Sequence, residues 1–96
     1  MRTENMSTEY VDIISPTQCR GARALLEITQ PQLADAAGLS LSTIVDFERS
    51  RREVSLDAAD AIRKALERAG IEFIDENGGG PGVRLRKRQR SRPTKA

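Results

Sequence analysis

The sequence predicts a mainly α fold, four short helices around one core followed by a C-terminal β-hairpin, and three observations carry that prediction. Four times a Ser or Thr stands directly before a run whose apolar residues recur three or four positions apart, the mark of a capped amphipathic helix. Two of those runs stop at a glycine, Gly38 and Gly70, the residue that most readily takes the left-handed terminating conformation. After Gly70 the apolar period changes to alternation, breaks at a cluster of glycines and resumes.

The first helix signal is Ser15-Pro16-Thr17-Gln18. A serine cap precedes proline at the first helical position, and the glutamine three residues after the cap can close a capping box. The helix should run from about Pro16 to Leu26, with Cys19, Ala22, Leu25 and Leu26 on its apolar face and Arg20 and Arg23 pointing elsewhere. Thr29-Gln30-Pro31-Gln32 repeats the pattern and starts a second helix carrying Leu33, Ala34 and Ala37. Ser40 caps a third, Leu41 to about Arg49, whose Ile44 and Phe47 lie three apart and must face inward. Two short helices joined by a three-residue turn containing glycine form a helix-turn-helix unit.

Ser55 caps the fourth helix, whose stripe is Leu56, Ala59, Ile62, Leu66 and Ala69. Ile71-Glu72-Phe73-Ile74 and Val83-Arg84-Leu85-Arg86 then alternate on either side of Asn77-Gly78-Gly79-Gly80-Pro81-Gly82, which reads as a hairpin. A two-stranded hairpin is seldom stable alone, so this one must pack on the helices or pair with a second copy. The chain thus divides into a flexible N-terminal leader (1–14), a helix-turn-helix domain (15–70), a hairpin (71–86) and a basic disordered tail (87–96).

Composition narrows the function classes. At 96 residues, 38% hydrophobic and with three aromatics, the chain can bury one modest core. No apolar run approaches a bilayer span and the first ten residues carry no signal-peptide stretch, so a soluble, cytoplasmic protein without membrane contact is expected. One cysteine and no histidine provide neither an internal disulfide nor the usual zinc ligands, so no metal and no cofactor is expected. Cys19 reads as a small core residue, because no histidine exists to activate it as a nucleophile.

Charge is uneven. Seven of the sixteen Lys and Arg residues fall in the last thirteen positions without one acid, leaving nine bases against fourteen acids in residues 1–83. Such a tail is either drawn to phosphate backbones or a solvated solubilising end, and composition does not choose between them. The glycine cluster lacks the Lys-Ser or Lys-Thr ending of a phosphate loop and opens no helix. Asp57 and Asp60 are the nearest thing to a catalytic carboxylate pair, but acids in the first half of a helix have an ordinary structural explanation. No catalytic residue is assigned and an enzyme is not expected.

The segment QPQLADAAGLSLSTIVDFERSRR, Gln30 to Arg52, resembles the helix-turn-helix of the Cro and phage-repressor superfamily, often called XRE-like. The shared elements are Gln30, Leu33-Ala34, Ala37-Gly38, Ile44, and Phe47-Glu48 followed by a basic stretch, and with the flanking helices the resemblance covers about Ser15 to Ala69. The ending GIEFIDENGGGPGVRLRK is similar to that of a group of small bacterial regulators in the same superfamily.

The resemblance implies a sequence-specific DNA-binding regulator, a repressor acting as a homodimer. Its third helix would lie in the major groove with Ser40, Leu41, Ser42, Thr43 and Asp46 near base edges. Ser42 and Thr43 could hydrogen-bond either type of base edge, Leu41 could touch a thymine methyl, and Asp46 could accept from a cytosine amino group. Gln30 matches the family glutamine that holds a backbone phosphate, and Arg49, Arg51 and Arg52 would add contacts to the same strand. The hairpin, by edge pairing or by packing Phe73 and Ile74 across a two-fold axis, would join the dimer. The rival reading is a protein-interaction module, an antitoxin-like component with a toxin-like partner or a small adaptor. The acidic balance of residues 1–83 and the lack of bidentate base readers favour it.

Overall fold

The computed structural model describes residues 13–75 and 78–86, so the basic tail (87–96) and most of the leader (1–12) lie outside the described residues. Its elements are α1 (Pro16–Leu26), α2 (Gln30–Ala37), α3 (Leu41–Glu48), α4 (Leu56–Arg68), β1 (Ile71–Ile74) and β2 (Gly82–Leu85).

Each helix starts where its cap residue dictates. Ser15 Oγ accepts from Gln18 N–H at 3.0 Å while Gln18 Oε1 accepts from Ser15 N–H at 2.9 Å. Thr29 and Gln32 close the same reciprocal box at 3.2 and 2.8 Å. Ser40 and Ser55 cap α3 and α4 by accepting from Thr43 and Ala58 N–H. These bonds satisfy amides that the helix ladder leaves unpaired, and each cap contributes about 1 kcal/mol. Gly38 ends α2 at φ 71°, as expected; α1 instead ends on Glu27, a non-glycine residue at φ 58°.

The core is built from Cys19 and Ala22 of α1, Leu33 and Ala34 of α2, Ile44 and Phe47 of α3, Ile62, Ala65 and Leu66 of α4, and Ile71 of β1. Fully burying one such aliphatic side chain contributes about 1.5–3 kcal/mol. Several expectations are corrected here. Leu25 is 41% exposed, because α1 packs through Cys19 and Ala22, and only Leu26 follows them inward. Leu56 is 63% exposed and Ala69 exposed, so the ends of the α4 stripe overhang the core, and Ala65 takes the place in it that periodicity assigned to Ala69. Ile14, the last residue of the expected leader, is 2% exposed and part of the core.

The hairpin is antiparallel, with Ile71 opposite Leu85, Glu72 opposite Arg84, Phe73 opposite Val83 and Ile74 opposite Gly82. It packs on α1 and α4. Val83 Cγ2 lies 3.4 Å from where a Cβ on Gly21 would sit, so the bare glycine backbone lets β2 rest directly on α1. Phe73 lies under the guanidinium of Arg63, 4.9 Å from its ring centre. Arg84 Nε donates to Glu72 Oε1 at 3.0 Å, a cross-strand pair that holds the exposed Glu72 carboxyl below its ordinary range.

Candidate nucleic-acid interface

Gly38, Leu39 and Ser40 turn α2 into α3, and α3 offers an exposed N-terminal end. There Ser40 Oγ lies 3.2 Å from Ser42 Oγ and 2.9 Å from Thr43 Oγ1, so one capping oxygen gathers three hydroxyls at the helix start. Leu41 stands exposed beside them. Such an end combines donors and acceptors that can adapt by hydroxyl rotation with one apolar contact and the partial positive charge of unpaired amides.

The opposite side of α3 is closed by a residue whose role sequence reasoning missed. Glu48 is 1% exposed, yet its carboxylate meets four donors. Arg23 Nε and Cys19 Sγ donate to Oε2 at 2.7 and 3.0 Å, and Arg23 Nη2 and Gln30 Nε2 to Oε1 at 2.8 and 3.0 Å. Arg20 donates to the Glu48 carbonyl, and Arg23 Nη1 to that of Ile28 at 3.2 Å. One buried charge thus ties α1, the α1–α2 turn and the first residue of α2 to the end of α3. Burial alone would raise the Glu48 pKa; the hydrogen bonds from Arg23, Cys19 and Gln30 outweigh it and hold the carboxyl below its ordinary range. Burial, reinforced by the adjacent carboxylate, pushes the Cys19 thiol far above its ordinary range, so the thiol stays neutral. Arg23, expected to point away from the core, instead lies on the same side of α1 as Cys19, one turn earlier.

Gln30 is therefore already engaged, through one N–H of its amide. It shares an open groove with Arg49 and with Arg20, a cation that the sequence reading left unassigned; Thr29, Pro31 and Ser50 also line it, as do Ile28 and the paired Arg23 and Glu48. Arg51 and Arg52 lie elsewhere. They fold back on Asp46, with Arg52 Nε donating to Asp46 Oδ2 at 2.8 Å and Arg51 Nη1 4.0 Å from Oδ1, and Arg52 lines a different, mostly apolar groove with Ile13, Phe47, Val54 and Leu56. The nine residues singled out from sequence thus form three groups: the hydroxyl end of α3 with Leu41, the Gln30–Arg49 groove, and the Asp46–Arg51–Arg52 pairing. Asp57 and Asp60 are exposed on α4, with Asp60 paired to Lys64 at 3.1 Å. Among the described residues no group of acids and cysteine could hold a metal ion, and no helix is long and apolar enough to cross a membrane.

A short glycine-bearing turn between two capped helices, the second presenting its N-terminal end to solvent, defines the helix-turn-helix class. A family model described as helix-turn-helix matches residues 20–73. The chain belongs to this family, the XRE-like DNA-binding proteins of transcription regulation. It is similar to an uncharacterized HTH-type transcriptional regulator of Methanothermobacter thermautotrophicus, 38% identical over 65 residues that span 65% of this chain and 94% of the relative.

Proposed function

We propose that the protein is a cytoplasmic, sequence-specific repressor that binds duplex DNA as a homodimer on a pseudo-palindromic operator. The observation that carries this reading is the exposed end of α3, where Leu41 and Ser42 face solvent with the half-buried Thr43 beside them while Ile44 and Phe47 anchor the helix behind them. Set in a major groove, these side chains meet base edges, and the hydroxyls accept or donate as the base requires. Gln30 gives a phosphate the second N–H of an amide already oriented by Glu48, and Arg49 and Arg20 set positive charge around the same groove.

None of these groups makes the bidentate contact that gives strong single-site readout, so doubling the half-site is what supplies specificity. Two copies would set their α3 helices about 34 Å apart, one turn of DNA. The hairpin supports such pairing. Both outer edges of the two-stranded sheet lack a strand partner among the described residues, and Leu85 is 50% exposed. Phe73 is covered by Arg63 and packed on the core, so the half-buried Ile74, on the opposite face of the hairpin, offers the apolar contact for face packing, whereas edge pairing would bring in Leu85 at the end of β2.

The test is selection from a randomised duplex pool at low and near-physiological salt. Enrichment of a palindrome that survives the higher salt is expected, with Gln30→Ala weakening all sequences alike and Ser42→Ala changing the preferred base. Featureless binding that vanishes with salt would instead favour an interaction module with a protein partner such as a toxin.

A further inference from the structure

We propose that Asp46 positions the arginine loop for phosphate contact, holding Arg52 ready for the DNA backbone, and does not itself read a base. The inference rests on the reading of the chain as a duplex-DNA binder and gives one residue of that surface a different role.

Asp46 gathers the loop twice. Its backbone carbonyl accepts from Arg51 N–H at 2.9 Å, and its carboxylate takes Arg52 Nε at 2.8 Å with Arg51 Nη1 at 4.0 Å. Ser50 at φ 55° makes the sharp turn that sends the chain back along α3 to allow both contacts. The carboxylate is 21% exposed, whereas both arginine side chains are more than half exposed. The anion is therefore sheltered beneath its cations. The contact to Arg52 uses Nε, and a guanidinium carries further N–H groups at its outer end that suit a phosphate oxygen.

Energetics favour positioning over base reading. A cytosine amino group would meet a side chain only 21% exposed, with Oδ2 already taken by Arg52 and Arg51 standing over Oδ1, and turning the carboxylate outward to reach it would exchange an ion pair for a bond to a neutral donor. Left unpaired beside DNA, the carboxylate would also repel the phosphates. Kept paired, the trio of Asp46, Arg51 and Arg52 carries a net positive charge and an arginine whose conformational freedom is already spent before DNA arrives.

The test compares wild type, Asp46→Ala, Arg52→Ala and the double variant on the duplex that wild type selects from the pool, across a range of salt. The expected result is that Asp46→Ala weakens binding about 3- to 10-fold on every sequence alike, although it removes a negative charge from a polyanion-binding protein. Arg52→Ala should reduce the salt slope by about one, and adding Asp46→Ala to it should cost nothing further. Tighter binding by Asp46→Ala, unchanged binding, a changed base preference or additive losses would each overturn the proposal. In the free protein the Arg52 Nε–H resonance should be protected from exchange and lose that protection in Asp46→Ala; identical exchange in both would overturn it as well. If wild type binds no duplex at low salt, the DNA-binding reading fails and this one with it, whereas wild-type binding with an indifferent Asp46 overturns positioning alone.

Discussion

Two carboxylates two residues apart on α3 lead opposite lives. Glu48 is sealed in the core by donors from α1 and α2, while Asp46 sits at the surface beneath two exposed arginines. Both are ion-paired to arginine at nearly the same distance, 2.7 and 2.8 Å. Distance therefore does not decide what a pair does. Removing one partner of a buried pair strands a charge away from water, whereas an exposed carboxylate or guanidinium returns to water at little cost. The first pair is committed to the fold, and the second can serve an interaction without putting the fold at risk.

The sharpest way to break this comparison is to delete each carboxylate in turn. Glu48→Ala should destabilise the domain by about 3–5 kcal/mol, since Arg23, Cys19 and Gln30 lose their acceptor together, lowering Tm by more than about 10 °C in a thermal melt. Acid should produce a smaller version of that loss. Because the folded Glu48 carboxyl lies below its ordinary value of 4.5, its contribution is complete above that pH and fades as pH falls through the folded value; Glu48→Gln should flatten this acid limb in melts between pH 2 and 7.

Cys19 gives the alkaline counterpart. Its thiol is held neutral in the folded state, so the stability it contributes is full below its ordinary value of 9.0 and lost as pH rises beyond it. A thiol reagent at neutral pH should label Cys19 only as fast as the domain unfolds; burst labelling would show that the Glu48 cluster opens locally. Asp46→Ala, in contrast, should change stability by less than about 1 kcal/mol in the same melts. A loss as large as that of Glu48→Ala would erase the distinction between the two pairs. The smallest effect expected is a gain: Glu27→Gly, which relieves a left-handed residue at the end of α1, should stabilise by about 0.5 kcal/mol in urea unfolding.

Helix boundaries were legible because each rests on a local device. Ser15, Thr29, Ser40 and Ser55 act within three residues of themselves, so their chemistry can be read without the rest of the fold. Core membership was legible only where size and period agreed. On α1 two small residues, Cys19 and Ala22, define the face that lets neighbouring elements approach, and the larger Leu25 misleads by hydrophobicity alone.

The Glu48 cluster was not legible as a site, since its members come from three helices and a charged residue is ordinarily assigned to solvent. A signal was present nonetheless. Glu48 stands four after Ile44 and directly follows Phe47, which puts an acid on the buried face, and Arg23 stands four after Cys19 on the facing helix. An acid and a base that each fall on an apolar stripe are candidates for one another. The Asp46–Arg52 pairing was not legible for a different reason: the two stand six residues apart, and only the turn at Ser50 brings Arg52 back to Asp46.

Gln18 gives the hairpin a standing that its position near the C-terminus conceals. The side chain that closes the α1 capping box with its oxygen also donates, through Nε2, to the carbonyl of Gly82 at 3.0 Å, while Arg86 N–H returns to Gly70 O at 2.7 Å. With Ile71 sealed in the core, β1 and β2 act as a wall of the domain and not as an appendage. The start of α1 and the hairpin should therefore open together, with their amides exchanging at a common rate. Cutting the chain after Gly70 would uncover the core along with any dimer surface, so the assembly state is better probed by single polar substitutions at the half-exposed Leu85, at the end of β2, and at Ile74, on the hairpin face turned away from Ile71.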